Sequence, residues 1–584
     1  MNLTAAELVS AVRAGRSLED VVVEGLDLSE RDLSGAKLAG ATFLGVRLDG
    51  AKLTGADLTG ARFEDVSLVE ALLDGAKLTG ASLAGADLGR ASLRGADLDG
   101  ATLVGASLSR AELDGASLER TMLSFADLAG ASLRDVRARQ ARFDGASLRG
   151  AHLEGASFEQ CGFTKSELED AHLEGAKLLG CQLVEASLHG ARLDAADVTG
   201  SIWVRCDLSR TRLPRSVRRC LFEACVLGPR ELAGTDLAHA SMEGQPLSGV
   251  DLSGADLSHA VLSGVDLSHA NLRGANLRNA VLVGADLTGA DLTDAAIYFT
   301  TFDRAKLSGV DLSGRELSMC SFGRADLQGA NLSGVIADKC DFSQARLEGA
   351  DLTRAHLKHC ILRGARVSGA SLVRTRFEQV DLSSLDLRAC VRDGASFSAC
   401  LFIESDLSAM DFSSGDLASC TFNRANLEKT RLEGARLDRA TFDGANLAKA
   451  DLRRASATGA FFGRADLRSA DLRGANLRQS SFTRADLTRA TFAEADLRES
   501  MLDHVVAVGT VFASAKLEHA DLSRADLSHA ELRGASLALA KLHAVRDHAT
   551  EWPASKALAR GTDEDRLRAE NFRPAPPPSK EIPR

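Results

Sequence analysis

Several features that mark other protein classes are missing from this 584-residue sequence. It has no run of 18 apolar residues and no apolar core near its N-terminus, so we predict neither membrane insertion nor export. No GxxxxGK[ST] phosphate loop occurs. We predict no catalytic residues, no cofactor and no metal ligands. These absences favour a cytoplasmic protein that is not an enzyme.

A five-residue repeat is what the sequence has instead. Large apolar residues recur at every fifth position from Leu28 to Leu213 and then, in a second phase, from Phe222 to Leu542. Leu or Phe occupies 93 of these 103 centres. A period of five fits neither an α-helix nor a flat strand. Internal repetition therefore determines the fold class.

Each pentad is predicted to be a very short strand followed by a corner. The residue two before each centre is small, as Ala255 is before Leu257, so both point inward and the residue between them points outward. The cysteines at 320, 340 and 360 add a longer period of twenty, which indicates a square coil of four pentads. At strand spacing, the 103 pentads would form a rod of about 26 coils and roughly 120 Å.

The A(D/N)LxG units resemble the pentapeptide repeat family over about residues 26 to 544. The resemblance implies an all-β fold, a right-handed quadrilateral parallel β-helix with short helical caps. It says little about function, because many unrelated roles use the same fold. The N-terminal 35 residues also resemble the start of members that accompany bacterial type VI secretion components.

The sequence predicts five segments. A capping helix begins at Thr4, which has Glu7 three residues later, and a second short helix is expected in 560–572. The boundaries are 1–25 for the N-terminal cap, 26–213 for the first solenoid run, 214–221 for an irregular segment, 222–544 for the second run, and 545–584 for the C-terminal helix and a Pro-rich disordered tail.

The phase change between Leu213 and Phe222 admits two interpretations. Two rods joined by a hinge is one of them. The other is a single coil shortened to 19 residues, with Val217 as a substitute centre, so that the face carrying Trp203 continues at Phe222. We favour the second, because face identity survives the change. Interruptions are also predicted where centres break the rule, at Ala138, Ala337, Arg392, Ala457 and Ala507.

The eleven cysteines are interpreted as reduced thiols rather than as a site. A zinc ion needs four ligands in a tetrahedron, whereas a column of inward thiols lies on a line. Histidines such as His152, His172, His259 and His269 fall beside centres or at corners, so we expect them to face solvent as ordinary surface residues.

Binding is the remaining function, and three partner classes are considered. Residues 1–200 hold 20 Lys or Arg against 31 Asp or Glu, and residues 201–584 hold 50 of each. This acidic part is compatible with DNA mimicry that protects a type II topoisomerase, as in quinolone-resistance members of the family, although its charge is sparse for duplex DNA.

Direct nucleic-acid binding is disfavoured, because the cluster of basic residues between Arg205 and Arg230 is short and its nearby aromatic residue, Trp203, is predicted inward. We therefore favour a protein-binding scaffold or adaptor, with a type VI secretion link as one hypothesis. The protein partner and the oligomeric state stay open.

Overall fold

The computed structural model describes residues 4–227 and 232–572. Two compact units are present, Met1–Lys306 and Leu307–Arg584. In each unit the chain coils so that outward residues pair in parallel with residues twenty positions later. The prediction of a parallel β-solenoid built from twenty-residue coils is confirmed.

The alternation of side chains within a pentad explains the coil. Ala51 and Leu53 are fully buried, and Lys52 between them is exposed. The Leu53 N–H donates to the Leu72 carbonyl at 2.7 Å, and the Lys52 N–H donates to the Arg31 carbonyl at 2.8 Å. Each coil is thereby hydrogen-bonded to the coils before and after it, while the apolar centres fill the interior.

The aspartates that precede many centres shape the corners. Asp27 is typical, since its Oδ1 accepts a hydrogen bond at 3.0 Å from the N–H of Ser29. This short-range bond is an Asx-type turn. These carboxylates therefore have a structural role in the repeat, as the sequence indicates.

Named elements are short because most pairing takes the form of isolated bridges. The elements of the first unit are α1 (Ala5–Arg13), β1 (Val22–Glu24), β2 (Thr42–Leu44), β3 (Arg62–Glu64), β4 (Arg137–Arg139), β5 (Ser157–Glu159), β6 (Lys177–Leu179), β7 (Gln182–Val184), β8 (Ile202–Val204), β9 (Asp207–Leu208), β10 (Leu221–Glu223) and β11 (Val226–Leu227). The elements of the second unit are β12 (Glu316–Ser318), β13 (Ile336–Asp338), β14 (His356–Lys358), β15 (Arg376–Glu378), β16 (Ser396–Ser398), the 3-10 helix Ala554–Leu558 and α2 (Glu564–Asn571).

The strands form small parallel sheets within each unit. The sheet orders of the first unit are β1-β2-β3, β4-β5-β6, β10-β8-β7 and β11-β9, and that of the second unit is β12-β13-β14-β15-β16. All of these pairs are parallel, and the register within each regular sheet is twenty residues, as in Phe43 opposite Phe63.

The N-terminal helix forms where the sequence predicts it. Thr4 and Glu7 make the reciprocal hydrogen bonds of a capping box, and Leu8 is fully buried. Parallel pairing starts at Ser17, which is bridged to Lys37. The first coil therefore begins before residue 26, because the pentads 16–20 and 21–25 already have Leu18 and Val23 as centres without an Ala-Asp-Leu consensus.

The C-terminal helix α2 lies in the predicted segment 560–572. Its Glu570 accepts hydrogen bonds from Arg566 and Arg524 and contacts His543 Nε2 at 3.1 Å. His543 is only 4% exposed, so the expectation that histidines of the solenoid face solvent is wrong for this residue. The helix buries a corner that would otherwise be open. The predicted Pro-rich tail, residues 573–584, lies outside the described residues.

The phase change is resolved as one short coil of nineteen residues, which we call the seam (residues 203–222). Phe222 pairs with Trp203, nineteen residues earlier, and the two rings stack at 6.1 Å. Pairing returns to twenty residues at Ser216, which is bridged to Asp236. Val217 is fully buried, as expected for a substitute centre. The prediction that face identity survives the phase change is confirmed within the first unit.

A second irregularity, which we call the break (residues 390–417), lies in the second unit. The regular ladder would pair the Arg392 N–H with the Asp411 carbonyl and the Asp411 N–H with the Cys390 carbonyl; in this described stretch neither bond forms. A cavity of about 720 Å³ lies there, lined by residues that include Phe397 and Phe412. The coils are separated locally at this point.

Arg392 accounts for the break, because a charged guanidinium cannot be enclosed in an apolar interior without partners. It is half-buried, and its Nη1 donates to the carbonyls of Leu387 and Cys390, each at 3.4 Å. The predicted interruption at this pentad is confirmed.

The interruptions predicted at the four alanine centres are wrong. Ala138, Ala337, Ala457 and Ala507 are all buried, and the pairing beside them keeps its twenty-residue register. An alanine removes volume from the interior but adds no polar group, so the backbone pairing between neighbouring coils is kept.

Candidate functional site

One face of the first unit lacks charge over three successive coils. We call this surface the neutral strip; its outward residues are Ser82, Ala84, Gly85, Thr102, Val104, Gly105, Met122, Ser124 and Phe125. They surround the buried centres Leu83, Leu103 and Leu123. The other faces of these coils carry charged residues such as Asp97, Glu112 and Asp127. The strip is therefore a distinct surface of the solenoid.

Two large apolar side chains project from the strip. Phe125 is 72% exposed and Met122 is 43% exposed. Phe125 occupies a corner with φ of 60°, where a bulky side chain is uncommon. Its ring lies over Gly145, and a Cβ at that glycine would come within 2.7 Å of the ring atoms. The glycine thus leaves room for the exposed aromatic ring to lie against the surface.

Charged rows border the neutral strip on both sides. The preceding coil presents Arg62, Glu64 and Asp65 on this face, and the following coil presents Arg142 and Asp144. Arg142 Nε lies 3.1 Å from Asp144 Oδ2. An apolar centre within a polar, charged rim is typical of a protein-binding surface. This surface was not predicted from the sequence, where its signal is a row without charge at positions twenty residues apart.

The cysteines lie where the sequence places them. All eleven are buried and unbridged. Cys340 Sγ donates to the Leu317 carbonyl at 3.3 Å. Hydrogen bonds with Cys320 and Cys360, together with burial, raise the pKa of Cys340. Cys340 is therefore a poor nucleophile at neutral pH.

The four histidines that the sequence analysis names lie on the outside of the coils. His152 and His172 stack on each other with ring centroids 4.7 Å apart, and His259 stacks on His239 at 4.5 Å. His269 lies against Gly289. Stacking at this separation follows from the coil spacing.

The basic cluster near the seam is partly neutralised by acidic neighbours. It consists of Arg205, Arg210, Arg212, Arg215, Arg218, Arg219 and Arg230, of which Arg230 lies outside the described residues. Arg205 pairs with Glu185 at 2.9 Å, and Arg218 pairs with Asp236 at 3.3 Å. Trp203 is fully buried and offers no stacking surface for a base.

In the described ranges, no helix has the length and apolar character needed to cross a membrane. The search of curated proteins returned no match for this chain.

Solved structures with similar folds include other repeat proteins. HetL, a pentapeptide repeat protein involved in heterocyst differentiation regulation in the cyanobacterium Nostoc, is 29% identical over 51% of this chain and 96% of its own, with a TM-score of 0.14. QnrB1, a plasmid-mediated fluoroquinolone resistance protein, is 18% identical over 35% of this chain and 90% of its own, with a TM-score of 0.23. A pentapeptide repeat protein of the Arabidopsis thaliana thylakoid lumen is 26% identical over 21% of this chain and 67% of its own, with a TM-score of 0.14.

The pentapeptide repeats profile matches seventeen segments, many of which overlap. They are 17–55, 27–65, 56–95, 71–110, 91–124, 123–160, 166–202, 231–264, 260–296, 305–344, 340–379, 360–390, 420–456, 435–474, 445–484, 465–503 and 508–543. Two of the gaps, 203–230 and 391–419, contain the seam and most of the break. Because the matches cover well over half of its length, the chain belongs to the pentapeptide repeat family.

Proposed function

We propose that this protein is a non-enzymatic protein-binding scaffold whose partner docks on the neutral strip. The observation that carries the proposal is the exposed pair Met122 and Phe125 on a charge-free surface with charged borders. Aromatic side chains and methionine are enriched in interface cores, where they supply much of the binding energy.

The chemistry of the strip defines the kind of partner. Its centre is apolar, so the partner presents an apolar side chain that covers the Phe125 ring. Each border carries both signs of charge, with Arg62, Glu64 and Asp65 on one side and Arg142 and Asp144 on the other. The partner is therefore a folded protein surface with a mixed polar rim rather than a uniformly charged polymer.

The alternative proposal is a DNA mimic that protects a topoisomerase, and the net charge of the first unit favours it. That unit holds 43 Asp or Glu against 31 Lys or Arg. Many of its carboxylates are paired, however, as in Glu112 with Arg94 and Glu174 with Arg192, both at 2.9 Å. Mimicry needs continuous rows of free negative charge, so we prefer the scaffold.

A binding experiment on the full chain tests the scaffold. The N-terminal resemblance makes type VI secretion components the first partners to try. The Met122→Ser, Phe125→Ser double variant should weaken binding of such a partner by at least about thirtyfold, because loss of a hot-spot side chain costs about 2 kcal/mol. Titration calorimetry with the purified partner measures the change.

Leu539→Ser is the matched control. Leu539 is also an exposed apolar corner residue with φ of 61°, but it lies in the second unit. Its replacement should leave the affinity unchanged. Equal affinity of the double variant and the wild type would refute the neutral strip as the docking site, and failure of every specific protein to bind would refute the scaffold.

A gyrase supercoiling assay with and without a fluoroquinolone tests the alternative. The scaffold proposal expects no protection of the enzyme. Protection at substoichiometric amounts of this chain would favour DNA mimicry.

A further inference from the structure

A tripeptide with two potential metal ligands is repeated one coil apart in the first unit. The segments 151–156 and 171–176 both read AHLEGA. In each copy the leucine points inward, so the histidine before it and the glutamate after it both point outward on the same face. Because the coil repeats every twenty residues, the two copies lie side by side and bring two imidazoles and two carboxylates together.

The ligand atoms of this cluster are already close. One atom from each of His152, Glu154 and His172 lies within 4.8 Å of the other two. Over the described ranges, this is the one group of three such residues that meets this limit. Glu174 extends the group, since its Oε1 is 3.8 Å from His172 Nδ1.

The contact between His152 and Glu154 resembles one edge of a metal site. His152 Nδ1 and Glu154 Oε1 are 3.1 Å apart. Two ligands that each bind a tetrahedral zinc ion at about 2.0–2.1 Å are about 3.3 Å apart. His152 and Glu154 therefore need almost no rearrangement to bind the same ion. Both imidazoles are partly exposed, so rotation of His172 can bring in the third ligand.

A positive charge already sits at this junction. Arg134 Nη2 lies 3.1 Å from His152 Nδ1 and 3.4 Å from Glu154 Oε1. His152 Nδ1 and Glu154 Oε1 therefore both face a cationic group, which is the guanidinium of Arg134 when no metal is bound.

We propose that His152, Glu154 and His172 bind one divalent transition-metal ion of the zinc type, with Glu174 as a fourth ligand once its ion pair with Arg192 opens. Imidazole and carboxylate donors suit Zn²⁺ and Co²⁺. The ion joins two successive coils and displaces the guanidinium of Arg134. Taken one at a time, both histidines have the pattern of ordinary surface residues, and the site is visible in the sequence only when each is paired with the glutamate two positions later.

Co²⁺ binding to the purified full chain tests the proposal. We expect one ion per chain, with a visible spectrum of nitrogen and oxygen ligation and without the strong near-ultraviolet band of thiolate ligation. His172→Ala and Glu154→Gln should each lower the affinity by more than about tenfold, since even loss of an outer-sphere partner costs that much. Arg134→Ser should raise the affinity several-fold, because the competing cation is gone.

His259→Ala is the matched control. His259 stacks on His239 with the geometry of the first pair, but in the described chain no carboxylate completes a group there. Its replacement should leave Co²⁺ binding unchanged. Absence of binding, undiminished affinity in His172→Ala, weaker binding in Arg134→Ser, or a thiolate spectrum would each overturn the proposal. All of these side chains face outward, and circular dichroism verifies that each variant is folded.

Discussion

The seam and the break both interrupt the repeat, but pairing continues across the seam on the face of Trp203, whereas the break leaves an open cavity. The seam loses a residue, yet Phe222 still pairs with Trp203 and the interior stays apolar. The break loses no residue; it places Arg392 at a centre, and the bonds to Asp411 are lost. The chemistry of the inward positions, more than the length of a coil, therefore determines whether the interior stays closed.

The largest effect is expected for Phe222→Ala at the seam. Phe222 is buried and stacked on Trp203, so its truncation should cost about 3–5 kcal/mol of unfolding free energy by leaving a cavity. Phe412→Ala at the break should cost less, because Phe412 already lines an open cavity. Urea unfolding followed by hydrogen exchange measures both. Equal losses would contradict the distinction between a closed seam and an open break.

Arg392→Leu should close the break. An apolar centre removes the buried charge, and we expect a gain of about 1–3 kcal/mol in unfolding free energy. The amides of residues 392 and 411 should become protected from hydrogen exchange. Arg388→Leu is the control, because Arg388 lies on the surface and pairs with Asp386 at 2.7 Å. A break that persists in Arg392→Leu would show that another residue causes it.

The rate of thiol alkylation should also differ between the seam and the break. Burial raises the pKa of Cys220 at the seam to about 12. Burial also raises the pKa of Cys390 at the break, to about 11, with the nearby charge of Arg392 acting in the opposite direction. Only the thiolate reacts, so Cys390 should be alkylated about tenfold faster than Cys220 at pH 8.

Both alkylation rates should rise about tenfold per pH unit below these pKa values, as the thiolate fraction does. Arg392→Leu should slow labelling of Cys390, because loss of the positive charge raises the pKa of this thiol. Site-resolved mass spectrometry after iodoacetamide treatment gives the rates. Faster labelling of Cys220 than of Cys390 would contradict a closed seam.

The smallest effect is expected for Cys220→Ala. The substitution removes one weak hydrogen bond, from Cys220 Sγ to the Val198 carbonyl at 3.0 Å. Alanine fills the same inward position in most pentads, so the cost should be about 1 kcal/mol or less. Urea unfolding checks the value. A loss as large as that of Phe222→Ala would mean that the thiol, and not the aromatic stack, holds the seam together.

Most of the fold follows from the sequence because the repeat is local. The pattern within a pentad predicts which residues point inward, and the twenty-residue period predicts which pentads are neighbours. The capping helix at Ala5–Arg13 and the register at Phe222 could be predicted for this reason. The alanine centres could not, because the sequence alone does not tell whether a small side chain leaves the backbone in the ladder.

The candidate sites were harder to predict, because each depends on which outward side chains meet. The neutral strip is visible in the sequence once the coil length is fixed, but the exposure of Phe125 depends on the space above Gly145. The convergence of Arg134 on His152 and Glu154 joins residues of different coils through flexible side chains. A pattern fixes the positions of these residues, and packing decides their contacts.

The sequence by itself determined the coil, its period and the inward column of apolar residues, because side-chain alternation and corner chemistry act over five residues. Only the tertiary structure decided that the alanine centres stay in the ladder, that a cavity forms beside Arg392, and that α2 buries His543. Those outcomes depend on hydrogen bonds and packing between residues about twenty or more positions apart, where the balance of burial and unpaired polar groups determines the result.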